Sequence, residues 1–310
     1  MGFLRKLFKR LRISILLPIL SLIAPVLRKK IRLEVMNVEE TLNEVFDKKK
    51  TIIRFGDGEL RILSGTGDTA FQRKSSSLQE RLNEVLKDVY KKAGDDKILL
   101  CMPGALSDTP REYSLEPAAR QFWFEFLVKN FFSLKRLFFR YSGIVFGDAS
   151  FTRPYMDTKD REYASRVFSR IKNELTGKSV LIIEGRLSRF GVGNDLLSGA
   201  KSVRRILGPE VNAFDKYDVL LKRARKEKGV DAVILALGPA AKILSYDLSQ
   251  AGFWCLDLGH IDIEYEWFML GSTKRVPVNN KYVNESSKKF VSDGSLNEEY
   301  VQQIVFMSEQ

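Results

Sequence analysis

Short apolar runs alternate with longer stretches of helical spacing over most of the chain, and no other feature constrains the fold as strongly. Residues 179–183 (SVLII) and 231–237 (DAVILAL) are apolar at nearly every position, as strands covered on both faces of a sheet must be. Residues 97–102 (KILLCM), 143–146 and 253–256, and the pair Ile52-Ile53, read as further strands. Between them lie helical stretches at 38–47, 78–92, 115–141, 160–175 and 214 to about 228. Ser75-Ser76-Ser77 offers a cap for the second of these. A last one opens with Gly238-Pro239 and closes at Gly252. A helix is also expected after Asp195, a short strand at 210–213, a loop at 279–294 and a terminal helix at 296–307. The expected fold is α/β: a Rossmann-like, mostly parallel sheet flanked by helices, with a basic and apolar N-terminal extension. The 310 residues divide into that extension, 1–35, and one main domain, 36–310.

The extension carries much of the net charge of +12. Its first 33 residues hold Arg5, Lys6, Lys9, Arg10, Arg12, Arg28, Lys29, Lys30 and Arg32, and no acid. A basic excess confined to a terminus argues against a nucleic-acid partner, whose footprint belongs on the folded domain. The apolar stretch 13–27 is shorter than the roughly 20 residues of a spanning helix, and Pro18 and Pro25 are expected to interrupt it. The segment therefore reads as an interfacial anchor on an anionic membrane surface, with the protein peripheral at the cytoplasmic face; a membrane-inserted segment and a helix packed on a partner are the alternatives. Cys101 and Cys255 stand far apart with no metal-ligand spacing, and are expected to be buried thiols.

Several stretches carry chemistry. Arg54-Phe55-Gly56-Asp57-Gly58-Glu59 follows an apolar pair. If the strand stays extended, Asp57 and Glu59 project to one side, where two carboxylates repel unless a hard cation such as Mn²⁺ or Mg²⁺ lies between them. A solvated surface turn is the alternative. Thr152-Arg153 follows a strand, where open sheets place ligands, and Arg153 suits a phosphate. Residues 184–195, Glu184-Gly185-Arg186-Leu187-Ser188-Arg189-Phe190-Gly191-Val192-Gly193-Asn194-Asp195, form a glycine-rich loop between an expected strand and an expected helix, the arrangement that cradles phosphate. Its spacing is not the dinucleotide fingerprint, and Asn194 or Asp195 serves equally as a helix cap. His260, the single histidine, follows a strand end beside Asp257, Asp262 and Glu264. A carboxylate there can orient the imidazole.

Six ordered blocks, FGDGE, SFTRPY, EGRLSRFGVGNDL, NAFDKYD, ALGPAA and LGHIDIEYEWF, resemble the bacterial glycosyltransferases of the GT-D fold over roughly residues 38–271. That resemblance implies a UDP-sugar donor, an Asp-x-Glu motif serving a metal, and acceptors among surface polysaccharides and adhesins, whether a glycan, a lipid-linked glycan or a glycoprotein. Asp57, Glu59 and His260 are then the expected metal ligands, with His260, Asp262 or Glu264 placed to orient or deprotonate the acceptor. The nucleotide-sugar residues expected are Arg54, Phe55, Gly56, Thr152, Arg153, Glu184, Gly185, Ser188, Arg189, Gly191, Gly193, Asn194, Asp195, Lys216, Tyr217, Gly238 and Pro239. A different Rossmann-like enzyme, such as a methyltransferase or dehydrogenase, places its glycine turn after the first strand, and here the glycine-rich loop comes late. A non-catalytic membrane-associated binding protein is the other alternative.

Overall fold

The computed structural model describes residues 18, 20–67, 72–73, 75–92, 97–107, 115–158, 160–292 and 298–308. A helix over residues 20–31 (α1) leads into β1, Glu34–Val35, and α2, Val38–Phe46. Asn37 caps α2 reciprocally with Glu40: its side chain accepts from the Glu40 N–H at 2.7 Å, and its own N–H donates to Glu40 Oε2 at 2.9 Å. There follow β2 (Thr51–Arg54), α3 (Asp57–Leu63), α4 (Ser76–Lys91) capped by Ser75, β3 (Ile98–Met102), α5 (Pro117–Phe139), β4 (Val145–Asp148) and α6 (Arg161–Leu175). The second half comprises β5 (Ser179–Gly185), β6 (Ser202–Gly208), α7 (Tyr217–Ala224), β7 (Ala232–Ala236), α8 (Ala240–Gln250), β8 (Cys255–Asp257), α9 (Ile261–Met269), α10 (Glu298–Gln303) and β9 (Ile304–Met307).

Among the described residues nine strands join one sheet in the order β1-β4-β3-β2-β8-β7-β5-β6-β9, and every pairing of these strands is parallel. The two-residue period of the strands divides the core. Ile52, Leu99, Val180, Ile182, Ile234 and Leu256 face α2, α6 and α9. Ile53, Leu100 and Met102 face α1, α3, α4 and α5, while Leu181, Ile183, Val233 and Leu235 face α7 and α8. Both cysteines are buried and free, and burial pushes both thiols up from their ordinary range.

Four expectations about elements are corrected. No helix follows Asp195; residues 186–200 run as turns into β6. Residues 210–213 do not form a strand, and the strand of this region is β6, whose central Arg204 and Arg205 disguise it. The terminal helix ends at Gln303, and residues 304–307 add an edge strand to β6. Pro25 lies within α1: Leu20, Ala24 and Ile31 bury one side of that helix, and this packing outweighs the single hydrogen bond that Pro25 lacks. The described half of the N-terminal segment thus packs on the core. The expectation for residues 1–17 lies outside the described residues.

Candidate active site

Neighbouring strands β2 and β8 come from the two halves of the chain. At the carboxyl ends of β2, β8, β7 and β5 lies a cleft of about 920 Å³. In an open parallel sheet this crevice is where ligands bind. Helices α3, α8 and α9 begin there, immediately after β2, β7 and β8, so three helix N-termini converge on it. Their first-turn N–H groups have no partner within the helix and carry the positive end of the dipole.

The floor of the cleft is a buried charge network. Arg54, the last residue of β2, donates from Nε to the Asp257 carbonyl at 2.5 Å, from Nη1 to Thr152 Oγ1 at 2.5 Å and from Nη2 to Asp257 Oδ1 at 3.3 Å. Gly259, at φ +53°, lets the guanidinium pass: a Cβ there would lie 2.1 Å from Arg54 Nη2. Lys242, on the first turn of α8, is 4% exposed. Its ammonium lies 3.1 Å from Asp257 Oδ2 and 3.3 Å from Glu59 Oε1, and donates to the Gly238 carbonyl at 3.2 Å.

Asp57 and Glu59 part company because α3 starts at Asp57, and residues two apart on a helix face away from each other. Glu59 turns back to accept from the Gly56 N–H at 2.9 Å and pairs with the Lys242 ammonium at 3.3 Å. Asp57 stays half-exposed at the cleft, held by Arg61 at 2.7 Å, and burial pushes its carboxyl up from the ordinary range. Asp57, Glu59 and His260 do not gather as a ligand set; among the described residues no three histidine, cysteine or carboxylate side chains do.

His260 lies at the mouth of α9, edge-on to Trp267. Its Nε2 is buried, lacks a hydrogen-bond partner among the described residues and lies 4.0 Å from Glu285 Oε1. Burial, and secondarily Arg153, pulls its pKa down to about 3, so the ring is neutral at neutral pH. Glu285 accepts from Arg153 Nη2 at 2.5 Å and faces Arg275 Nε at 2.7 Å. Burial pushes its carboxyl up, but Arg153, His260 and Arg275 outweigh this and hold it at about 2. Arg275 also donates to Asp157 at 2.5 Å.

Of the residues expected to bind the nucleotide sugar, Arg54, Gly56, Arg153, Gly185, Ser188, Gly238 and Pro239 line the cleft. Thr152 supports Arg54 from beneath. Phe55 is fully buried in the core. The glycine-rich loop turns away after Ser188, because other contacts claim its side chains. Glu184 pairs with Arg205 at 2.6 Å and accepts from the Phe190 N–H at 2.7 Å. Arg189 packs against the rings of Phe290 and Tyr300. Gly191, at φ +73°, and Gly193, at φ +81°, form the turns of the loop. Asp262 pins it, accepting from the Gly191 N–H at 2.9 Å, Asn194 Nδ2 at 2.8 Å and Lys281 Nζ at 2.7 Å. Asp195 faces the back of the fold, bonded to Lys172 and Tyr265. Tyr217 donates to Asp247, and neither it nor Lys216 lines the cleft. Glu264 lies beneath, its Oε2 accepting from the Tyr155 and Met156 N–H groups, and burial pushes its carboxyl up to about 7.

Lys242, Arg275 and Glu285 were not among the expected residues. Lys242 resembles any surface lysine of a helix, and only its place four residues after Gly238 marks it. Arg275 and Glu285 lie in a polar segment without periodicity.

The family model described as glycosyltransferase GT-D fold matches residues 52–286. Over 257 residues the chain is 32% identical to a probable glycosyl transferase, Gly, of Streptococcus gordonii, covering 82% of this chain and 36% of that protein. It is also 32% identical over 277 residues to the glycosyltransferase GlyD of Streptococcus pneumoniae, covering 88% and 33%. The chain thus spans about a third of the length of these curated relatives. A solved structure described as domain of unknown function 1792 with a distinct glycosyltransferase fold superposes with a TM-score of 0.80 at 31% identity, covering 91% of this chain and 98% of that one. A glycosyltransferase structure from Streptococcus sanguinis gives 0.79 at 31% identity, covering 89% and 100%.

Proposed function

The chain belongs to the glycosyltransferase GT-D family, and from that premise we propose that it moves a sugar from a UDP-sugar, bound in the cleft with Mn²⁺ or Mg²⁺, to a glycan, lipid-linked glycan or glycoprotein acceptor. The observation that carries this reading is the convergence of three helix N-termini on a cleft at the switch point between the two halves of the sheet. A diphosphate there meets the positive ends of three helix dipoles on rigid elements, already aimed where negative charge develops as it departs.

The charge of the lining supports a cation carried in with the donor. The cleft presents seven carboxylates against five arginines and lysines, an unfavourable balance for a bare diphosphate. Cations of this class need only one or two carboxylates and take their remaining oxygens from phosphate and water. Asp57 fits that part, since its carboxylate faces the cleft and is not buried in a closed network, while Glu59 is committed to Lys242 and Gly56. When bound, the cation supplies Lewis-acid stabilisation of the leaving diphosphate.

The remaining roles belong to the chain. Lys242 and Arg54 hold Asp257 and Glu59, and with them the starts of α3, α8 and α9, in register. His260, whose neutral ring lines the cleft, is placed to orient an acceptor hydroxyl toward the donor carbon. Asp262 acts as a positioning residue that ties the 186–195 loop to α9. Surface polysaccharide or adhesin glycosylation at the inner face of a bacterial membrane is the setting that fits this activity; no helix among the described residues is long and apolar enough to cross a membrane.

A thermal-shift panel of UDP, GDP, NAD and S-adenosylmethionine, each with and without Mn²⁺, tests the reading. UDP is expected to stabilise the protein, by about 2.7 kcal/mol at one hundred times Kd, and more strongly with Mn²⁺. Stabilisation by NAD or S-adenosylmethionine but not by UDP would overturn it.

A further inference from the structure

The second half of α5 carries a face that the fold leaves bare. Phe132 is 83% exposed and Phe139 70% exposed. They stand seven residues apart on one side of a helix whose other side buries Leu127, Leu134, Leu137 and Phe138. Isolated exposed rings are ordinary. Here Lys135, Arg136 and Arg140 border the two rings, and together they line a shallow groove of about 290 Å³. Residues 126–147 contain four basic side chains and no acid. Helix α1 packs alongside, with the Arg28 guanidinium 5.0 Å from the centre of the Phe124 ring, and it exposes Leu22 and Val26.

We infer that this face docks the protein on a bilayer bearing anionic headgroups, with Phe132 and Phe139 at the acyl boundary and the lysine and arginines on lipid phosphates. Charge selects this occupant over the alternatives. A second copy of the chain docking by the same face would set three cations against three. Residues 1–17 carry five cations and no acid, so covering the face with them meets the same repulsion. An anionic lipid surface satisfies rings and cations together. The first half of α5 lines the cleft through Ala118, Phe122 and Trp123. Ten residues of helix separate Phe122 from Phe132, about 15 Å along the axis, so docking holds the cleft close to the headgroup plane. The docking itself does not depend on which reaction the cleft performs.

The test is co-sedimentation of the full chain with phosphatidylcholine vesicles, with and without phosphatidylglycerol, at low and high salt, together with light scattering in solution. Wild type is expected to be monomeric and to bind the phosphatidylglycerol vesicles in a salt-sensitive way. Replacing Lys135 and Arg136 together by glutamine is expected to weaken binding about 30-fold. Phe132→Ser with Phe139→Ser is expected to weaken it about tenfold or more. Both double variants should keep the wild-type melting temperature and its response to UDP, because none of these side chains lines the cleft. Binding by both variants within about twofold of wild type would overturn the inference and move the lipid contact elsewhere. So would equal binding of wild type to neutral vesicles. A wild-type dimer that Phe132→Ser with Phe139→Ser converts to monomer would instead make the face an interface between copies, and would also overturn it.

Discussion

Replacing Lys242 by methionine probes the charge network beneath the cleft. Methionine keeps most of the stem volume and removes only the ammonium. In the folded protein that ammonium is the nearest cation to Glu59, at 3.3 Å, and one of two serving Asp257. After the change Glu59 keeps the Gly56 N–H alone, whereas Asp257 keeps Arg54 through its side chain and backbone N–H. Removing one member of a buried ion pair costs about 3–5 kcal/mol, because the partner stays buried and uncompensated. Since Asp257 retains Arg54, the expected loss is near the lower end, about 3 kcal/mol. The side chains involved are 6%, 11% and 1% exposed, so water screens them little. Urea unfolding of wild type and variant reads the difference. Adding Glu59→Gln to Lys242→Met should recover part of the loss, because the stranded charge is then gone. A cost below about 1 kcal/mol for Lys242→Met, with no recovery on adding Glu59→Gln, would refute the account of the network.

Gly259→Ala should cost about 1–2 kcal/mol for its left-handed backbone alone, and more as the new methyl displaces Arg54 from Asp257 and Thr152; an unchanged melting temperature would contradict the contact. Two buried groups predict opposing pH dependences. His260 refuses until about pH 3 a proton that its unfolded form takes below 6.5, so its contribution is full above pH 6.5 and is lost as pH falls toward 3. His260→Gln should flatten that acid limb. Glu264 keeps its proton to about pH 7 while its unfolded form releases it near 4.5, so its contribution is full below pH 4.5 and is lost as pH rises through 7. Glu264→Gln should therefore gain on wild type between pH 4.5 and 7. Melting curves of wild type and these variants that stay parallel across pH would contradict both assignments.

Much of the sheet was legible because its central strands are apolar on both faces: β3, β5, β7 and β8 announce themselves as runs such as ILLCM and AVILA. Strand β6 was hidden by Arg205, a charge that the fold buries against Glu184 from the neighbouring strand, a pairing that no local pattern carries. Strand β9 was hidden because its four residues continue an apparently helical stretch and become a strand only by meeting β6. In the site, most of the cluster after β2 and His260 with its neighbours Gly259 and Asp262 do lie at the cleft, Phe55 excepted, since strand ends followed by glycine mark the carboxyl edge of a parallel sheet. The glycines of the 186–195 loop misled because the same residue that admits a phosphate also permits a tight turn, and here Asp262 draws the loop into turns away from the cleft. The extended reading of Asp57 and Glu59 failed for a related reason: Gly56 caps a helix, and the first helical turn separates the two carboxylates.

The central claim is that the cleft holds the donor's diphosphate with Asp57 facing its cation. Calorimetric titration of UDP into wild type and Asp57→Asn, with and without Mn²⁺, tests it most directly. Wild type should bind UDP more tightly when Mn²⁺ is present. Asp57→Asn should bind UDP without metal as wild type does, and should lose the Mn²⁺-dependent gain. A gain that persists undiminished in Asp57→Asn, or no binding of UDP to wild type under any of these conditions, would contradict the account.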